Sequence, residues 1–204
     1  MGATAQPIRL HLGCGKRYLP GWVHIDVSPG PHIDFQTSIR NLSMFADETV
    51  GQIYCSHALE YFDRIEVAEV LAEWRRVLVP GGKLNLAVPN FKALMSIYLM
   101  TGSLDSILGP LYGRMNVVQS DDLIYHKTVY DKVSLTSLLN QHGFTDVSDY
   151  DPIFFLAQID PTFDDHSLAY FPHMDRSGLQ VSLCLTAERI ATSTSLTTSR
   201  SLAP

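Results

Sequence analysis

The sequence predicts an α/β protein: a doubly wound, mainly parallel sheet of seven strands with an antiparallel final strand, covered by helices on both faces. Two observations carry this expectation. Short apolar runs bounded by Gly and Pro recur along the chain, as buried parallel strands do. Amphipathic helical segments alternate with them, and that alternation implies parallel strands joined by crossovers. The 204 residues, 46% hydrophobic and 18% charged, suit one medium domain with a substantial core.

The elements follow in order. Ile8 to Leu12 is a first apolar run, ending at Gly13-Cys14-Gly15. Trp22 to Asp26 is a second, preceded by Pro20-Gly21, and His32 to Phe35 is a weaker third. Gln52 to Ser56 is the fourth. Lys83 to Val88 is the fifth, entered through Pro80-Gly81-Gly82 and stopped by Pro89-Asn90. Between the fourth and fifth, Asp63 and Glu66 have capping-box spacing. Val67, Val70, Leu71, Trp74, Val77 and Leu78 then recur at helical spacing, with Glu66, Glu69, Glu73 and Arg76 on the opposite face. A helix is expected near 91–100, followed by an irregular stretch to about 130. Asp131 caps a helix from Lys132 to His142, with Leu135, Leu138 and Leu139 as its stripe and Gly143 after its end. Phe144 to Tyr150 and Leu179 to Glu188 supply the last two strands. Residues 1–190 are expected to form the domain, and 191–204, mostly Ser, Thr and Ala, a disordered tail.

Composition narrows the function. The net charge is −6 and there is no Lys/Arg run, so no nucleic-acid partner is expected. Cys14, Cys55 and Cys184 are widely spaced with no CxxC, which argues for a reducing compartment and against a disulfide framework or structural zinc. The first ten residues lack a basic-then-apolar leader, and the most apolar run, Ala93 to Met100, is too short to span a bilayer. A cytoplasmic protein with no membrane partner is expected.

Sheets of this kind bind ligands beyond the carboxyl ends of their strands, where the strand order reverses. The ends to inspect are Gly13–Gly15, Asp26, Ser56–Glu60 and Pro89–Asn90. Glycines after the first strand let a ligand approach the backbone. A carboxylate at Asp26 can accept hydrogen bonds from both hydroxyls of a ribose, although an exposed Asp opening the Ser28-Pro29-Gly30 turn would read the same way. A dinucleotide site wants a third glycine where Tyr18 stands. The span from Gly15 to Asp26 also leaves no room for a full crossover helix to face a pyrophosphate. Both observations disfavour NAD.

Leu10-His11-Leu12-Gly13-Cys14-Gly15 resembles the first motif of the class I S-adenosylmethionine-dependent methyltransferases, and the whole run 10–26 looks like a branch with a shortened first helix and a Pro-Gly-Trp turn. Ser56-His57-Ala58-Leu59-Glu60 resembles the segment after strand four of that branch. Arg75 to Gly82 is similar to its turn into strand five, and His126-Lys127, Leu138-Leu139 and Gly143-Phe144 are similar to its C-terminal section. The likeness covers about residues 8–90 and 125–150. It implies a Rossmann-like fold and S-adenosyl-L-methionine as cofactor. Gly13, Cys14 and Gly15 would pass under the methionine and ribose. Asp26 would hold the ribose diol, with Val27 against adenine and Ser56 beside the methionine. Ser38, with Ile39 next to it, falls where many relatives carry an acidic residue for the adenine amino group, and Asp34 is the alternative. Residues 91–130 would be a substrate-side insertion.

Methyl transfer from a sulfonium needs proximity and orientation, with a base only for a hydroxyl or protonated amine acceptor. His126 is expected at the acceptor side as that base, with His57 as its competitor. The expected acceptor is a small molecule or a glycan. A methyltransferase-fold binding or scaffold protein is the alternative that the Ser38 departure keeps open. No metal is expected: His11 and His24 read as packed strand residues, and Asp160, Asp164, Asp165 and His166 as a solvated loop. Cys14 reads as a small turn residue, and Glu60 as a structural residue capping a turn.

Overall fold

In the computed structural model, which describes residues 7–117, 123–172 and 177–191, the apolar runs pair into one sheet. In chain order the elements are β1 (Ile8–Leu12), β2 (Val23–Asp26), β3 (Phe35–Gln36), β4 (Val50–Ser56), α1 (Glu66–Val77), β5 (Leu78–Pro89), α2 (Phe91–Thr101), α3 (Asp105–Tyr112), β6 (Met115–Asn116), β7 (Leu123–Ile124), α4 (Lys132–Gln141), β8 (Phe144–Asp149), α5 (Pro152–Ala157), β9 (Tyr170–Phe171), β10 (Leu179–Gln180) and β11 (Ser182–Arg189). The seven-stranded sheet runs β3-β2-β1-β4-β5-β11-β8. Its first five strands are parallel, and β11 is antiparallel to both of its neighbours. The expected fold class is borne out.

Burial explains the pairing. Leu10, Leu12, Ile25, Ile53, Cys55, Leu84, Leu86 and Val88 are fully buried, because helices and loops cover both faces of these strands. On α1, Val67, Val70, Leu71, Trp74 and Val77 face the sheet, each worth about 1.5–3 kcal/mol on burial. The capping box forms one turn before the assigned helix: Glu66 N donates to Asp63 Oδ1 at 2.8 Å, and Asp63 N to Glu66 Oε2 at 2.9 Å. The polar face of α1 does more than meet solvent. Glu73 Oε1 accepts from Leu42 N at 2.8 Å, and Arg76 Nη1 donates to the Phe45 carbonyl at 3.0 Å. Trp74 Nε1 donates to the Ile39 carbonyl at 2.8 Å. These bonds staple residues 39–45 to the helix.

Several elements depart from expectation. β3 is only two residues long. β5 starts at Leu78 and carries Pro80-Gly81-Gly82 as an irregularity within the strand, where its register against β4 shifts. The last apolar run is split into β10 and β11. Helices α3 and α5 were not expected: Gly109-Pro110 disguises the first, and the second starts with Pro at its first position under an Asp151 cap. The expected tail, apart from its first residue, lies outside the described residues. No described helix is long and apolar enough to cross a membrane.

The chain enters at β1, moves outward to β3, then returns to β4 beside β1. The order reverses between β1 and β4, and the carboxyl ends of these two strands open into a cavity.

Candidate functional site

That cavity has a volume of about 610 Å³, within the ordinary range for small-molecule sites. Ten of the residues singled out from the sequence line it: Gly13, Cys14, Gly15, Asp26, Val27, Ser38, Ile39, Ser56, His57 and His126.

The glycine turn is built by close approach. Gly13 has φ +64°, and a Cβ there would stand 2.5 Å from Ala58 Cβ. Gly13 N donates to the Ile25 carbonyl at 2.8 Å, tying the turn to β2. Gly15, at φ +56°, faces open space. Between them Cys14 is buried, and burial first, then Asp26, pushes its thiol up to about 12. It remains a neutral thiol, not a nucleophile.

Asp26 is buried at the end of β2, so it is no exposed turn residue. Its Oδ2 accepts from Gly15 N and its Oδ1 from Ser28 N, both at 2.8 Å. Each carboxylate oxygen has a second lone pair, so the group can still accept from a diol. Val27 is next along the wall. Ser38 and Ile39 line it from the segment held by Trp74. Asp34 does not line the cavity; its Oδ2 accepts from His24 N at 2.8 Å.

Ser56 ends β4, and its hydroxyl donates to Asp165 Oδ1 at 2.5 Å. Asp165 is buried and also accepts from Ser167 N at 2.7 Å. Burial pushes its carboxyl up, but these hydrogen bonds outweigh burial and hold it below the usual range. The solvated-loop reading of Asp165 and His166 is therefore overturned: Asp165 braces Ser56, and His166 lines the cavity. Loop composition hid this, because the contact joins residues 109 apart. Arg17 was also missed. It lines the cavity beside the glycine turn, with Nε donating to the Asp164 carbonyl at 2.6 Å.

Across the cavity, residues 109–126 contribute Gly109, Pro110, Gly113, Arg114, Met115, Ile124 and His126. The aromatic residues Tyr98, Tyr112, Tyr125 and Tyr130 do not line it. His126 Nδ1 lies 3.1 Å from the Pro110 carbonyl, and a Cβ on Gly113 would stand 2.4 Å from His126 Nε2, so only glycine fits over this ring. Burial lowers the His126 pKa, opposed by the charge of Glu60. His57, at the left-handed φ of +52°, has Nε2 2.8 Å from Ser182 Oγ.

His11 and His24 are packed strand residues as expected, both buried. Among the described residues, no group of three or more His, Cys, Asp or Glu side chains is spaced to hold a metal ion.

The comparisons with known proteins come to the same place. Residues 10–86 match the sequence model of a methyltransferase domain family. The fold is similar to an S-adenosylmethionine-dependent methyltransferase from Methanosarcina mazei, at TM-score 0.55 and 14% identity over 93% of this chain and 95% of that one. It is similar to one from Archaeoglobus fulgidus, at TM-score 0.52 and 13% identity over 90% and 87%. A third is the 1,6-didemethyltoxoflavin-N1-methyltransferase of Burkholderia thailandensis, solved with 1,6-didemethyltoxoflavin and S-adenosylhomocysteine bound, at TM-score 0.52 and 14% identity over 90% and 71%. No curated protein sequence matches the chain.

Proposed function

We infer that the chain belongs to the class I S-adenosylmethionine-dependent methyltransferase superfamily, with S-adenosyl-L-methionine as its cofactor; the match of residues 10–86 to a methyltransferase domain family and the shared fold support this reading. We propose that it methylates a small-molecule or sugar-containing acceptor in the cavity between the Gly13–Gly15 turn and His126. One observation carries this reading: the cofactor residues and the two candidate bases converge on a single cavity of about 610 Å³.

The residues present fit the cofactor. The Gly13–Gly15 turn forms a cradle that side chains would fill, and Asp26 is a buried acceptor beside it. Arg17 supplies a cation for the methionine carboxylate, and Val27 and Ile39 supply apolar wall for adenine. When bound, S-adenosylmethionine supplies a methyl group on sulfonium, an electrophile that needs no further activation. The chain's part is then orientation, exclusion of water and removal of the acceptor's proton. His126 suits the last task. Its Nδ1 is engaged with the Pro110 carbonyl, so the basic nitrogen of the neutral ring is Nε2. The net charge of −6 and the volume of the cavity favour a small acceptor over nucleic acid, and a cytoplasmic site of action over a membrane one.

Calorimetric titration tests the site. S-adenosylhomocysteine should bind in about the micromolar range and NAD should not, since Tyr18 replaces the third glycine of a dinucleotide turn. Tight NAD binding without S-adenosylhomocysteine binding would overturn the reading.

A further inference from the structure

Among the described residues, Arg17 and Arg114 are the arginines that line the cavity, and the cofactor reading uses only the first. Arg17 stands beside the glycine turn, tied by Nε to the Asp164 carbonyl. Arg114 belongs to the wall that carries His126. Its side chain is exposed and, among the described residues, makes no hydrogen bond or ion pair.

The backbone is nevertheless fixed on both sides of it. Gly113, at φ +55°, packs so closely on the His126 ring that a Cβ would stand 2.4 Å from Nε2. The Gly113 amide donates to the Gly109 carbonyl, and the His126 amide to the Tyr112 carbonyl, both at 2.7 Å. On the other side Met115 pairs with Ile124 across β6 and β7. Residue 114 is thus held at the cavity by its neighbours, while its own guanidinium builds nothing. Arg76 and Arg189 show the contrary case, since they pair with Glu73 and Glu48 and hold segments of the fold together.

The acids of the site are engaged elsewhere. Among the described residues Asp26 is the one carboxylate that lines the cavity, and both of its oxygens already accept from amides at the end of β2. Asp165 is buried against Ser56 and Ser167, and Glu60 is fully buried against His57. A cationic acceptor would therefore meet no lining carboxylate on the Arg114 side. An anionic one meets an unpaired guanidinium, whose planar fork matches a carboxylate or a phosphate. Tyr61, Phe62, Pro110, Met115 and Val181 give the same cavity an apolar wall. Burial first, then Glu60, pushes the Tyr61 phenol up to about 12, so that wall is neutral as well.

We propose that Arg114 determines acceptor specificity: it binds the acidic group, carboxylate or phosphate, of a small methyl acceptor whose body is apolar. The proposal rests on the reading of the cavity as a methyltransferase site, and it narrows the acceptor to an acid.

Ligand-observed NMR titrations of the full chain saturated with S-adenosylhomocysteine test this. Benzoate and phenyl phosphate are the anionic probes, benzamide the neutral one and benzylamine the cationic one. At least one anion should bind in about the millimolar range, roughly tenfold more tightly than benzamide or benzylamine. The better of the two anions tells carboxylate from phosphate. Arg114→Gln should bring that anion down to the level of benzamide, while Arg114→Lys, which keeps the charge without the fork, should lose less. The affinity for S-adenosylhomocysteine should not move in either variant. Equal binding of the anions and benzamide, a preference for benzylamine, or an anion preference that survives Arg114→Gln would overturn the proposal. So would anions that displace S-adenosylhomocysteine instead of binding beside it, or a loss of S-adenosylhomocysteine affinity in Arg114→Gln, which would assign the residue to the cofactor. A chain that binds no S-adenosylhomocysteine, yet prefers the anion and loses that preference in Arg114→Gln, would sink the cofactor reading and leave the anion site standing.

Discussion

Ser56 and Asp165 meet at 2.5 Å across 109 residues of chain, joining the carboxyl end of β4 to the segment after α5. The bond closes one side of the cavity, and the Ser167 amide shares the same carboxylate oxygen. Asp165→Ala would leave a hydroxyl and an amide unpaired in a buried place, at about 1–3 kcal/mol. For a chain of this size the melting temperature should fall by several degrees, and less so with S-adenosylhomocysteine bound. A variant that melts like the wild type would show that water replaces the bond.

Asp26 shapes the rim of the cavity through its bonds to Gly15 N and Ser28 N, and in the proposed site its remaining lone pairs would take the ribose hydroxyls. Charge-assisted bonds of this kind contribute roughly 1.5–3 kcal/mol, so Asp26→Ala should weaken S-adenosylhomocysteine binding by about ten- to a hundredfold. Asp26→Asn, which keeps one carbonyl acceptor, should lose less. Equal dissociation constants for wild type and Asp26→Ala would assign the residue to the turn alone.

The two glycines of the turn should separate stability from binding. At Gly13 a methyl group meets Ala58 Cβ at 2.5 Å in a left-handed backbone, and Gly13→Ala should cost about 2–4 kcal/mol of unfolding free energy. At Gly15 the backbone is also left-handed but the space is open. Gly15→Ala should cost only about 1–2 kcal/mol while placing a methyl group where the ligand passes. Denaturant unfolding with calorimetry on the same variants checks both. The idea fails if Gly15→Ala proves the less stable of the two.

His11 sets an acid limit. Burial, partly opposed by Asp165, lowers its pKa to about 3 in the folded chain, from 6.5. Between these values the unfolded chain binds a proton that the folded chain refuses, so stability falls as the pH falls, by about 1.4 kcal/mol per unit. Above pH 6.5 the group contributes no slope. From pH 7 to pH 4.5 the loss through His11 should reach about 2–3 kcal/mol. The lowered pKa values of His126 and His166 add to it in the same direction. Urea unfolding of His11→Leu should show a smaller loss over that interval, and an identical loss would acquit His11.

The parts legible in sequence were those whose signals are local. The runs ending at Leu12, Asp26 and Ser56, the Asp63–Glu66 box and the Asp131 cap each lie within a few residues of the element they announce. The carboxyl ends of β1, β2 and β4 were picked out from them because mainly parallel sheets bind ligands there, whereas the strand order that puts the reversal between β1 and β4 came from the structure. Contacts made across the chain were not legible. Nothing around Asp165 says that it is buried against Ser56. Nothing around Glu73 and Arg76 says that they grip residues 42–45. Glu60 read as a turn cap, yet its buried side chain makes no hydrogen bond and lies 3.8 Å from His126, which arrives from a distant loop. Pro110 falls in the stretch expected to be irregular and instead sits inside α3, where its carbonyl meets the His126 ring.

The position of β11 governs the order of assembly. It comes last in the described chain, yet it occupies the interior of the sheet, with β5 on one side and β8 on the other. Until it docks, the long edge of β5 stays open and β8 has nothing to pair with. A nascent or nicked chain ending before Ser182 therefore carries an unpaired apolar ladder from Lys83 to Pro89, a template for any foreign strand. Such a fragment should precipitate when expressed alone. A synthetic peptide spanning residues 179–190, supplied in trans, should fill the gap and return it to solution.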